Sequence, residues 1–127
     1  MLLRLRFAEC LERQGALGGD DDEALHAFRL TCKRLRYAIE RYPEDFPELQ
    51  PAAECLAQMT DELGAAHDCV VLAELANKHG AQSIAWRARQ DRNAAVKRAI
   101  KTWRQAFRQD SPFAPLATFT GFTWSLE

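Results

Sequence analysis

Between Leu25 and Tyr37 the chain reads Leu-His-Ala-Phe-Arg-Leu-Thr-Cys-Lys-Arg-Leu-Arg-Tyr, which sets His26, Arg29, Lys33, Arg34 and Arg36 among apolar residues. At about 100° per residue, His26, Arg29, Lys33 and Arg36 share one quadrant of a helix, while Leu25, Phe28, Cys32, Leu35 and Ile39 lie together in the sector beside it. A cation recurs about once per helical turn, a spacing that can follow a phosphate backbone. The chemistry this predicts is recognition of a polyanion by charge and hydrogen bonding.

Two further arginines stand out. Arg89 and Arg92 fall in the same angular sector as Ala85, Ala88, Val96 and Trp103, so they are expected to point towards other helices. A guanidinium there needs a partner, either a carboxylate such as Asp61, Glu62 or Asp68 or a bound anion, and the sequence leaves both open. Asp68 is expected in the first turn of a helix, where it either caps backbone amides or holds a cation of the Leu25–Tyr37 helix in position. His26 with Asp22, or His67 with Asp68, does not reach the three or four ligands of a metal site, so none is expected, and no cofactor is implied. No nucleophile motif, glycine-rich phosphate loop or evident acid/base pair is present, which argues against catalysis.

The elements that must hold these residues are helical throughout. Apolar positions recur at three- and four-residue spacing through nearly everything before residue 110, and no stretch sustains strand alternation. The pattern predicts an all-α, antiparallel up-and-down bundle of about four long helices plus a short N-terminal one. It places a first helix over about 2–14, a second from the Asp20–Glu23 acids to about Tyr42, and a third from about Glu48 to Leu63 with Gly64 as its cap. A fourth runs over about 66–79 and stops at Gly80, and the longest spans about 82–109. Lys97, Arg98, Lys101, Arg104 and Arg108 form a solvated face of that last helix. After Pro112, Phe113, Phe119, Phe122 and Trp124 lie in a tail without helical periodicity, read as an extended arm that docks on the bundle or on another subunit.

The 127 residues are sized for a single domain over 1–127. With 47% hydrophobic and 28% charged residues, the composition is that of a globular protein. No apolar run reaches membrane-spanning length and the N-terminus lacks a signal-peptide pattern, so a cytoplasmic protein with no membrane partner is expected. Cys10, Cys32, Cys55 and Cys69 form no C-x-x-C pair and read as reduced, small apolar residues. The net charge of −1 conceals segregation: residues 29–41 carry five bases and one acid, and 87–108 eight bases and one acid, whereas 9–23 and 44–62 are acidic.

Leu25-His26 with Arg29, followed by Lys33-Arg34-Leu35-Arg36-Tyr37 and then by Leu63-Gly64 with Asp68, resembles the CHAD domain, the conserved histidine α-helical domain. The similarity covers about residues 20–113, with Trp103 and Pro112-Phe113 resembling the family's closing segment, and leaves 114–127 as an aromatic tail outside it. The resemblance implies a helical domain that binds inorganic polyphosphate without turning it over, often at polyphosphate granules. His26, Arg29, Lys33 and Arg36 would face the anion, Arg34 and Tyr37 would flank them, and Asp68 would be the acid of the turn. Members of that family usually contain two related halves. This chain resembles one, the second, so the expected partners are polyphosphate and either a missing half or a second copy in a homodimer. Two other readings remain: a structural or protein-interaction module whose basic residues pair with acidic helices, and a nucleic-acid-binding module. The latter has little support, since few aromatics interleave with the basic strip.

Overall fold

In the computed structural model, which describes residues 2–42, 44–108 and 111–120, the chain forms five helices and, among the described residues, no strand. They are α1 (Leu2–Arg13), α2 (Asp22–Glu40), α3 (Gln50–Lys78), α4 (Gln82–Ala106) and α5 (Ala114–Thr120). Short 3-10 turns at Gln14–Gly18 and Pro47–Leu49 complete the described elements. Each of the first four helices packs against its neighbour in sequence, giving the expected up-and-down bundle.

Local chemistry sets most of the helix ends. Asp21 caps α2, its Oδ1 accepting from the backbone amides of Glu23 at 3.0 Å and Ala24 at 3.3 Å. Gly80 closes α3 with φ +74°, a left-handed conformation that glycine adopts without penalty. The Ala81 amide donates to the Ala76 carbonyl at 2.8 Å and the Gly80 amide to Asn77 at 3.2 Å, satisfying two of the last carbonyls of the helix. Pro51 sits in the first turn of α3, where its missing amide hydrogen costs nothing.

Two expectations are overturned. The third and fourth helices expected from the sequence are one 29-residue helix, and Gly64 lies inside it rather than at its end. The buried positions run through Leu56, Met59, Leu63, Ala66, Val70, Ala73 and Ala76, so packing against α4 carries the helix past the glycine. The tail is also not an extended arm over its first part: residues 114–120 are helical, with Phe113 and Leu116 fully buried. Burial of these two anchors outweighs the weak local pattern. The side chain of Phe119, together with Phe122 and Trp124, lies outside the described residues.

The core is held by an aromatic cluster drawn from both ends of the chain. Phe113 meets Phe7 at 6.0 Å, Trp103 at 5.5 Å and Phe107 at 5.2 Å between ring centroids, all close to edge-on. Phe28 of α2 also meets Trp103 nearly edge-on, at 5.1 Å. Edge-to-face rings of this kind add about 0.5–1.5 kcal/mol each beyond their burial. The Trp103 indole donates to the Gln14 side-chain oxygen at 3.0 Å, so the one polar atom of the ring is satisfied.

All four cysteines are free. Cys10 and Cys32 are buried with their sulfurs 3.7 Å apart. Burial, reinforced by the hydrogen bond with Cys10, pushes the Cys32 thiol well above its usual range. Burial, with a smaller contribution from Glu62, raises Cys55 from 9.0 to about 11. A thiol whose pKa is higher in the folded state stabilises the fold below the unfolded value, and loses that contribution as pH rises towards the folded one. Stability is therefore expected to fall between pH 9.0 and about 11. Thermal melts of Cys55→Ala should show a shallower fall than the parent across that window.

Candidate functional site

The cationic strip on α2 divides into an inner and an outer set. His26 and Arg29 turn towards α3. The His26 ring stacks on His67 with centroids 4.9 Å apart and planes 29° apart, and its Nδ1 is buried without a hydrogen-bond partner. Arg29 donates from Nε to the Thr60 carbonyl at 3.0 Å, and its guanidinium lies flat against Gly64. A Cβ at position 64 would stand 3.2 Å from Arg29 Nη2 and 3.3 Å from Nε. Glycine at 64 is therefore a seat for the arginine, and the helix tolerates its cost of about 1 kcal/mol relative to alanine because the side chain of α2 fills the space.

Farther along α2 the cations face outwards. Lys33 is half-buried and Arg34 exposed, and neither is in an ion pair among the described residues. Arg36 donates from Nε to Glu40 Oε1 at 2.9 Å, and its guanidinium carbon lies 5.7 Å from the centre of the Tyr37 ring. Tyr37 is 54% exposed. A cleft of about 360 Å3 opens between α1 and α2, lined by Leu2, Arg6, Arg34, Tyr37, Ala38 and Arg41. Arg6 and Arg41 are not in the sequence-derived set. Arg41 follows Arg34 and Tyr37 at the three- and four-residue spacing of one helix face, a signal that was available. The presence of Arg6 depends on how α1 lies, which no local pattern reveals.

Arg89 and Arg92 do lean inwards, and their partner is Asp22 at the start of α2. Arg89 Nη1 lies 3.0 Å from Asp22 Oδ2, while Arg92 approaches Oδ1 with Nε at 3.0 Å and Nη2 at 2.9 Å. The Nη2 approach is short but poorly aligned, so that buried nitrogen lacks a true hydrogen bond. Arg92 Nη1 donates to Asn93 Oδ1 at 2.9 Å. The acids expected as partners do other things. Glu62 accepts from the Thr102 hydroxyl at 2.7 Å, and Asp61 and Asp68 are exposed and without an ion pair among the described residues. Because α3 is continuous, Asp68 lies mid-helix. It caps no terminus and pairs with no α2 cation.

These positions sort eight of the nine sequence-derived residues into three groups, one of them completed by Asp22. His26 and Arg29 join α2 to α3. Asp22 with Arg89 and Arg92 joins α2 to α4. Lys33, Arg34, Arg36 and Tyr37 lie farther along α2, with Arg34 and Tyr37 lining the α1–α2 cleft, and Asp68 stands apart. No three His, Cys, Asp or Glu side chains among the described residues are grouped to hold a metal. Among those residues, no helix is long and apolar enough to cross a membrane.

A family model described as the CHAD domain matches residues 1–77. No match is found among curated proteins or solved structures. The matched stretch contains the α1–α2 cleft, the Arg29–Gly64 contact and Asp68; Arg89 and Arg92 lie outside it.

Two consequences can be measured. Gly64→Val should destabilise the protein by about 2–3 kcal/mol, and by about 1–2 kcal/mol less when Arg29 is already alanine, since the valine then enters vacated space. A denaturation cycle of the four proteins tests this, and additive effects would show that the seat is not what requires the glycine. Asp22→Asn keeps the shape but removes the charge facing two guanidiniums, one of them nearly buried. It should cost about 2 kcal/mol in urea unfolding, below the range for fully buried pairs because Asp22 is 29% exposed.

Proposed function

The chain belongs to the CHAD domain family, and from that premise we propose that it binds inorganic polyphosphate without catalysing its turnover. The observation that supports this most directly is the set of outward-facing cations at the C-terminal half of α2. Lys33 and Arg34 are unpaired among the described residues, and Arg34 shares the 360 Å3 cleft with Arg41, Arg6 and Tyr37. Arg34 and Arg41 can donate paired hydrogen bonds to phosphate oxygens there, and the Tyr37 hydroxyl can add another, while Arg6 is held by Glu9 at 3.1 Å. Arg36 is held against Glu40 by a half-exposed pair worth little, so it can turn to a phosphate at small cost.

In this reading His26, Arg29, Arg89 and Arg92 set the shape of the surface from behind. Arg29 has its Nε committed to a backbone carbonyl, and the two arginines of α4 share Asp22. The abundance of acids elsewhere keeps the net charge at −1 while leaving this end of α2 cationic.

Titration calorimetry with polyphosphates of increasing chain length provides the test. Affinity should rise with length and fall steeply with salt. Replacing Lys33, Arg34 and Arg41 together by glutamine should weaken binding at least about tenfold with helical content and melting temperature unchanged. Arg29→Gln should instead lower stability. Undiminished binding by the triple variant would place the site elsewhere, and equal competition by single-stranded RNA would favour a general nucleic-acid module.

A further inference from the structure

α3 is longer than the helix that lies along its outer side. α2 has 19 residues and α3 has 29. The start of α2 is pinned by Asp22 to α4, and His26, one turn on, stacks against His67. Beyond His67, α3 continues for about three turns to Lys78. There α4 covers one side of it through Val70, Ala73, Ala76, Ala85 and Ala88, all buried. On the side away from those residues stand Asp68, Val71, Leu72, Leu75, Lys78 and His79. Their spacing of three, one, three, three and one places all six within about 120° of arc.

All six are exposed, Val71 at 51%, Leu72 at 47% and Leu75 at 53%. A three-and-four repeat of apolar residues is the pattern of a helix that packs on another, so this part of α3 carries two seams, one used and one bare. Ile84 and Trp86 of α4 are also exposed, but two residues apart they point in roughly opposite directions and form no seam. The bare seam is polarised, with Asp68 at its N-terminal end and Lys78 and His79 at the other. Neither Asp68 nor Lys78 is in an ion pair among the described residues.

That polarity selects the occupant. A second α3 laid antiparallel, with the twofold axis midway between positions 71 and 75, sets Val71 against Leu75 of the partner subunit and brings the two Leu72 side chains alongside. It also places Asp68 opposite Lys78 of the partner subunit at both ends. A parallel arrangement would oppose like charges. We propose that the seam from Asp68 to His79 docks antiparallel on the same seam of a second copy of this chain, forming a twofold dimer. The proposal stands on α3 alone and is independent of any ligand.

Sedimentation equilibrium of the full chain tests it. A single helix pair is a small interface, so a monomer–dimer equilibrium with a Kd of about 1–100 μM is expected. Leu75→Glu should raise that Kd at least about a hundredfold. Asp68→Lys and Lys78→Asp should each raise it about tenfold, because each sets like charges together at both ends. Mixing the two charge variants should restore association to near the parent value, since each copy then meets the opposite charge at both ends. All three positions are exposed, and circular dichroism should show unchanged helicity. A monomer at about 0.5 mM would overturn the proposal. So would a dimer indifferent to Leu75→Glu, or charge variants that associate no better together than alone.

Discussion

The seating of Arg29 on the bare backbone of α3 at Gly64 is the contact on which the arrangement of the other helices depends. A helix carrying a long basic side chain on its inner flank would normally be held away from its neighbour. Here the neighbour has no Cβ at the point of contact, and its Thr60 carbonyl accepts the Nε hydrogen. The two helices can approach closely while a charged group remains hydrogen-bonded between them. That contact ties α2 to α3 at mid-helix, and so bears on which of its residues are left facing outwards.

The position of α2 gives Asp22 a double role. As the first residue of the helix it lies at the positive end of the helix dipole, and it also faces two guanidiniums of α4. One carboxylate thus serves a helix terminus and two interhelical pairs. Further along, the same placement divides the cations by role. Near the start of α2, His26 and Arg29 contact α3, and near its end Arg34 lines the cleft beside α1. A single amphipathic helix thus places some of its cations in the framework and others at a cleft wall.

Much of this was legible in the sequence where the determining interactions are local. The apolar seam of α2, its acidic cap and the stop at Gly80 all depend on residues within a few positions of each other. Gly64 and Gly80 show the limit. Both come after a good helical run, yet one turns the chain with a positive φ and the other receives an arginine from a different helix. The helical wheel correctly grouped His26, Arg29, Lys33 and Arg36 by angle. It could not show that α3 covers the first two, since angle on a helix does not reveal where a neighbour starts and stops. The pairing of Arg89 and Arg92 with Asp22 rather than with a nearer acid is of the same kind, being decided by the relative height of three helices. Phe113 and Leu116 were hidden for another reason: a seven-residue helix is too short to display a period, and only its burial maintains it.

The edge-on contact between Phe7 and Phe113 joins positions that are 106 residues apart along the chain (113 − 7 = 106), whereas α3 and α4 meet across a turn of a few residues. The chain-entropy cost of bringing two points together grows with the length between them, so the α3–α4 hairpin can zip early while the aromatic cluster must wait for nearly the whole chain to be in place. Trp103 belongs to both events: it lies on the early hairpin, and its indole later takes the Gln14 oxygen and its faces later receive Phe28 and Phe113. Its environment thus records, in time, the moment at which the two ends of the molecule close on each other.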